Sequence, residues 1–148
     1  KRHDDVAVRY IQKWKALHGR KIDFGAEDGP EQAIRGLCKD FNVVCVCYDP
    51  YQLHDMATRL NKENVAWFFE FSQGQRRLEA DRQLYDLILQ RRLVHNGNVE
   101  LREHISNANR KLSSDDRRLR IVKRELGMNV DLAVCLSMAC YEVLRLNL

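Results

Sequence analysis

The apolar positions of this chain follow two patterns: stretches with helical spacing, and two short runs that are apolar throughout. Val6, Tyr10, Ile11, Trp14 and Leu17 recur at helical intervals and predict a helix over 4–17. Residues 18–29 hold three glycines and predict a connection, with a short extended piece at Lys21–Phe24. "PEQAIRGLCKDF" (30–41) predicts a helix with proline in its first turn and Ala33, Ile34, Leu37 and Phe41 on one side. The run at 43–48 predicts a strand buried on both faces, with Asp49 at its carboxyl end and Pro50 opening a helix to about Asn61. "VAWFFEFSQ" (65–73) predicts a second strand, closed by Gly74. An amphipathic helix follows over 75–92, with Leu78, Leu84, Leu87 and Ile88 inward and its arginines outward. The pattern then predicts a brief extended piece and turn at 93–98, a helix over 99–110 and a closing helix from about Val130 that is apolar nearly all round.

Strands alternating with helices predict an α/β domain with parallel strand pairing, a single domain over 1–148. Two strands and a short third are few for such a sheet, which needs both faces covered. With no Met at position 1, the expectation is a fragment whose first strands lie upstream of Lys1. A sheet edge left uncovered in this way predicts a homodimer of the fragment.

Composition narrows the class. The hydrophobic set is 45% and the charged set 31%, ordinary for a soluble globular protein. No apolar run approaches a membrane span and no secretory signal is visible, so no membrane partner is expected. Five cysteines without a CxxC pair read as buried thiols of a reducing compartment, hence the cytoplasm. The net charge of +4 says less than its distribution. "NRKLSSDDRRLRIVKR" (109–124) gathers Arg110, Lys111, Arg117, Arg118, Arg120, Lys123 and Arg124 against two aspartates. Such a run is either a solvated face or a surface for phosphates.

Two aspartates stand at element ends. Asp49 before Pro50 is a standard N-cap, and Asp131 in a first helical turn meets the dipole favourably. Both are also placed to hold a divalent ion, because open α/β sheets gather their chemistry at strand carboxyl ends. Hydrolysis of a phosphodiester can use two hard cations about 4 Å apart, and magnesium takes few protein oxygens. If the pair serves that chemistry, the two carboxylates converge on one cleft. His95 beside a turn is either structural, through one ring hydrogen bond, or a contact to substrate. Gln73 and Asn107 read as hydrogen-bonders that fix element ends.

The segment "VVCVCYDPYQ" resembles the second acidic motif in the nuclease domain of bacteriophage terminase large subunits. "FEFSQG", "LILQRRLVHNGN", "LREHISNA" and "VKRELGMNVDLAVCLSMAC" are similar to that family's later motifs, in its order, over about residues 28 to 146. The resemblance implies an RNase H-like fold, a mostly parallel sheet flanked by helices, here N-terminally truncated. It implies a metal-dependent endonuclease that cuts concatemeric phage DNA by two-metal hydrolysis with Mg²⁺ or Mn²⁺ during packaging. By motif, Asp49 and Asp131 would be the catalytic, metal-binding carboxylates. Lys123 and His95 would support them or contact phosphate, and the basic run (Arg110, Lys111, Arg117, Arg118, Arg120, Arg124) would bind DNA. Implied partners are double-stranded DNA, the ATPase domain of the same large subunit, the small terminase subunit and the portal, all in the bacterial host cytoplasm. The chain holds no G-x-x-x-x-G-K-[ST], so the ATPase is outside it. The family's first acid has no counterpart before Asp49, so little or no cleavage is expected of this chain alone. Two other functions fit the same scaffold: a non-catalytic DNA-binding or assembly module, and another RNase H-like nuclease such as a Holliday-junction resolvase.

Overall fold

The structure, a computed structural model, describes residues 5–115 and 118–148. Its elements in order are β1 Val6–Ala7, α1 Pro30–Asp40, β2 Val46–Tyr48, α2 Pro50–Lys62, β3 Phe68–Glu70, α3 Gln75–Leu89, β4 Leu93–Val94, α4 Val99–Ser106, β5 Ala108–Leu112, β6 Leu119–Lys123 and α5 Asp131–Arg145. The chain divides into two compact units, one of residues 12–71 and one of residues 1–11 with 72–148.

In the unit of residues 12–71, β2 and β3 pair in parallel, with Tyr48 opposite Glu70, and α2 connects them. Proline opens both helices, where its missing N–H costs nothing and its φ is already helical. Before α1 the chain turns so tightly that a Cβ on Gly29 would stand 2.7 Å from the Asp23 carbonyl oxygen, so only glycine fits. Tyr48, Met56, Ala57, Leu60 and Phe68 form the core. A carboxylate network ties α1 to α2. Arg59 donates to both oxygens of Glu31 at 2.7 Å, and Arg35 bonds Glu31 and Glu63. Asn61 locks α2 to β3 by bonding the backbone N–H and carbonyl of Phe68.

In the other unit, α3 and α5 pack together and α4 packs on α5. The core there joins Val6, Leu84, Leu87, Leu101, Leu136 and Cys140. β1 and β4 pair in parallel, and β5 and β6 form an antiparallel hairpin. One carboxylate holds three elements. Asp81 of α3, fully buried, accepts from Arg77 Nε at 2.8 Å, from Ser137 Oγ of α5 at 2.6 Å and from the Ile121 N–H of β6 at 2.8 Å.

The α/β class with parallel pairing is as expected, and α1, α2, α3 and α5 lie where the apolar spacing put them. Several local expectations are corrected. Residues 5–17 form no helix: Val6 and Val8 donate to the carbonyls of Arg92 and Val94, so strand pairing overrides helical periodicity. Lys21–Phe24 runs into a turn rather than a strand. The two apolar runs are strands only in part, over the last three residues of the first, 46–48, and the centre of the second, 68–70. The helix from 99 stops at Ser106, ahead of the hairpin that carries the basic run. In α3, Ile88 faces solvent while Arg77 is buried against Asp81. Of the five cysteines only Cys140 is buried, and burial pushes its thiol up to about 12.

Candidate functional site

Asp49 stands where the β2–β3 pair ends and α2 begins. Its Oδ1 accepts from the Tyr51 N–H at 3.0 Å, so the capping role is real. Among the described residues, no hydrogen bond or ion pair engages its Oδ2. The neighbouring strand ends in Glu70, opposite Tyr48 in the register, and Glu70 Oε1 lies 2.9 Å from His54 Nδ1 of α2. Burial first, and the Glu70 charge second, raise the Tyr48 phenol above its ordinary value. This end of the parallel pair therefore carries two carboxylates and an imidazole, exposed enough to meet a substrate. Sequence reasoning passed over His54 and Glu70. The signal was the acid at the end of the second apolar run, parallel to the first.

Asp131 opens α5 in the other unit and is exposed, and no hydrogen bond or ion pair engages it among the described residues. Its helix has no side-chain cap from Val130. Instead buried His104 of α4 accepts the Leu132 N–H on Nδ1 at 3.1 Å. Asn107 donates to the Asn129 carbonyl at 3.1 Å and fixes the approach to the helix, as its structural reading expected. Gln73 is likewise structural, accepting from Arg77 at 3.0 Å.

The cationic residues sort by hairpin face. Lys111 and Arg120 lie directly opposite each other across the strands, and both are exposed. Like charges so placed repel, and neither has an ion-pair partner among the described residues. Arg118 is exposed beside the hairpin, where its N–H donates to Ser113 Oγ at 3.0 Å. Arg110 takes the other face: it donates to the Tyr85 hydroxyl and lies over that ring, 5.1 Å from its centroid. Lys123 and Arg124 are exposed at the hairpin base. Arg117 lies outside the described residues. His95 uses Nδ1 to accept the Gly97 N–H at 3.0 Å, holding a turn in which Gly97 has a φ of +78°.

Among the described residues no three His, Cys, Asp or Glu side chains gather into a group able to hold a metal ion. The donors still suit a hard, largely hydrated cation. Asp131 and the Oδ2 of Asp49 are carboxylate oxygens with lone pairs to spare, and magnesium typically uses one or two such groups. Asp49 and Asp131 belong to different units, and the structure describes each within its own.

No curated protein matches the chain. The crystal structure of the HK97 bacteriophage large terminase is similar in fold, with a TM-score of 0.65 at 18% identity over 76% of this chain. The match covers 24% of that terminase, so the chain spans about a quarter of its length. The family described as "Terminase large subunit, endonuclease domain" matches residues 11–146. With nearly its whole length inside that match, the chain belongs to the family of terminase large subunit endonuclease domains.

Proposed function

We propose that this chain is the metal-dependent DNA endonuclease part of a phage packaging terminase, acting on concatemeric DNA by two-metal hydrolysis. The observation that carries the reading is Asp49, a carboxylate with a spare oxygen at the carboxyl end of a parallel strand pair, where α/β folds gather their chemistry. Asp49 and Asp131 are the residues that would hold Mg²⁺ or Mn²⁺. A divalent ion, when bound, would supply activation of a water and stabilisation of charge on phosphoryl oxygens. The chain's own contribution is placement. The cap bond from Tyr51 orients Asp49, and the Leu132 N–H bonded to His104 steadies the helix that begins at Asp131. Lys111, Arg118 and Arg120, with Lys123 and Arg124, hold the DNA backbone, and His95 contributes through its turn. The partners in this reading are double-stranded DNA, the ATPase domain of the same large subunit, the small subunit and the portal, in the bacterial host cytoplasm.

The test is cleavage of plasmid DNA with Mg²⁺ or Mn²⁺ by a version extended upstream to include the family's first acid, beside its Asp49→Ala and Asp131→Ala variants. Loss of cleavage in both supports the reading, and cleavage that survives in either removes that residue from the site. Binding without any cleavage favours the second reading, a DNA-binding module on the same scaffold, for which the exposed Lys111–Arg120 pair speaks directly. Each phosphate contact contributes about 0.9 to the slope of log affinity against log salt. The triple alanine variant of Lys111, Arg118 and Arg120 is therefore expected to flatten the slope by roughly 2–3. An unchanged slope would leave the hairpin a merely solvated surface.

A further inference from the structure

Beneath the hairpin, between α3 and the inner face of β5 and β6, lies a cavity of about 320 Å³. That is the lower end of the range of small-ligand pockets, roughly 300–1,000 Å³, and well above a packing defect. Its walls are mostly apolar, Leu84, Ile88 and Ile121 among them, and its polar groups are few: Tyr85, Asn109, Arg110 and Asp81, whose oxygens are already taken by Arg77, Ser137 and the Ile121 N–H. An apolar ligand alone would leave unused the Arg110 donors not spent on Tyr85, and a small anion alone would leave the walls wet. The occupant therefore has a flat apolar body and an anionic group beside it.

The hairpin narrows the choice further. Arg110 lines this cavity, and Lys111, Arg118, Arg120 and Lys123 on or beside the same hairpin draw anions to it. An anionic polymer whose every repeat carries a flat aromatic group is a nucleic acid. Arg110 stands at both features at once. It lines the cavity and bonds Tyr85, and a guanidinium with five donors keeps others for a phosphate. We propose that the cavity receives one unstacked nucleobase of DNA lying on the hairpin, with the adjoining phosphate on Arg110. The inference rests on the DNA-binding part of the proposed function and adds a requirement that phosphate contacts alone do not make. The DNA must offer an unpaired base, because unstacking costs least where pairing is already absent.

The experiment compares the affinity of the chain, without divalent metal, for a 20-bp duplex and for the same duplex carrying one extra unpaired adenine, by fluorescence anisotropy. A single base held against aromatic and apolar side chains predicts about tenfold tighter binding of the bulged DNA. Ile88→Trp fills the mouth from a solvent-facing position, and Ala108→Leu fills the cavity from the hairpin side. Either brings the ratio of the two affinities close to one. A ratio near one in the parent chain, with both DNAs bound, overturns the inference and leaves the DNA reading standing. A preference that survives both filled variants assigns it to DNA flexibility and also overturns the inference. Failure to bind either DNA overturns both.

Discussion

Each unit is tied together by one carboxylate, and the two do it differently. Glu31 holds α1 to α2 by pairing with arginines whose side chains reach water, Arg59 being 51% and Arg35 27% exposed. Asp81 holds α3, β6 and α5 from a position with no exposure, and its cation Arg77 is buried with it. Around Glu31 the arginines can return to water if the acid is removed. Around Asp81 nothing can. Burial of the partner, more than the number of bonds, sets what such a carboxylate is worth.

The sharpest way to break this comparison is Asp81→Ala. It strands a buried guanidinium, the Ser137 hydroxyl and the Ile121 N–H together, and a loss of roughly 3–5 kcal/mol is expected in urea denaturation. Asp81→Asn keeps the shape and restores part of the loss through its amide oxygen, yet leaves Arg77 without a counter-charge. If Asp81→Ala costs no more than the corresponding change at Glu31, burial is not the deciding variable.

Glu31→Gln is expected to cost less, roughly 1–2 kcal/mol, because its partners are half in water. Its pH dependence is specific. The Arg59 hydrogen bonds, outweighing the burial that opposes them and helped by Arg35, hold the Glu31 carboxyl at about 2 against an ordinary 4.5. A depressed folded-state pKa contributes stability that is fully present above 4.5 and lost as pH falls through about 2. The stability gap between parent and Glu31→Gln should thus be full at neutral pH and close across that acid window. A gap that is independent of pH down to 2 would deny the ion pair its role.

Neither hub was legible in the sequence, and the reason is physical. Glu31 and Asp81 sit in helices rich in charge, where the default reading of an acid is a solvated face. What distinguishes Asp81 is an arginine four residues before it and a serine in a distant, otherwise apolar helix, a coincidence visible only once α3 meets α5. A loop or hairpin is legible for the basic run, but the strands that build it are not. Leu119 and Ile121 alternate with Arg118 and Arg120 as a half-buried strand should, but the charge run masked the alternation. The opposite error occurred at the amino end, where Val6 and Tyr10 kept helical spacing while the pairing partner, β4, lay more than eighty residues away. Elements announced by local chemistry were read correctly: Pro30 and Pro50 at helix starts, Asp49 as a cap, the apolar centre of β2. For the site, the positions at element ends were legible. Contacts such as His54 with Glu70, or Arg110 with Tyr85, depend on strand register and helix packing that no local window contains.

The smallest effect on stability is expected at the two aspartates proposed for the chemistry, and this extends the comparison to its far side. Glu31 and Asp81 spend their oxygens on the fold, whereas Asp49 keeps one oxygen and Asp131 both. Asparagine caps helices as well as aspartate does, so Asp49→Asn should keep the bond from Tyr51 and change stability by a few tenths of a kcal/mol. Asp131→Asn removes one negative charge from the first turn of α5, worth about 0.3–1 kcal/mol. Both replace an anionic oxygen by a neutral amide, a poor donor for a hard cation, so metal-dependent cleavage by the upstream-extended version should fall by orders of magnitude while the unfolding midpoint scarcely moves. Manganese affinity, read calorimetrically on the same proteins, should drop in parallel. Glu31→Gln and Asp81→Asn supply the contrast, since there metal affinity per folded molecule should be kept while stability falls. If Asp49→Asn or Asp131→Asn instead lowers stability as much as Glu31→Gln and leaves metal affinity intact, that aspartate belongs with the structural carboxylates and its place at an element end is a cap alone.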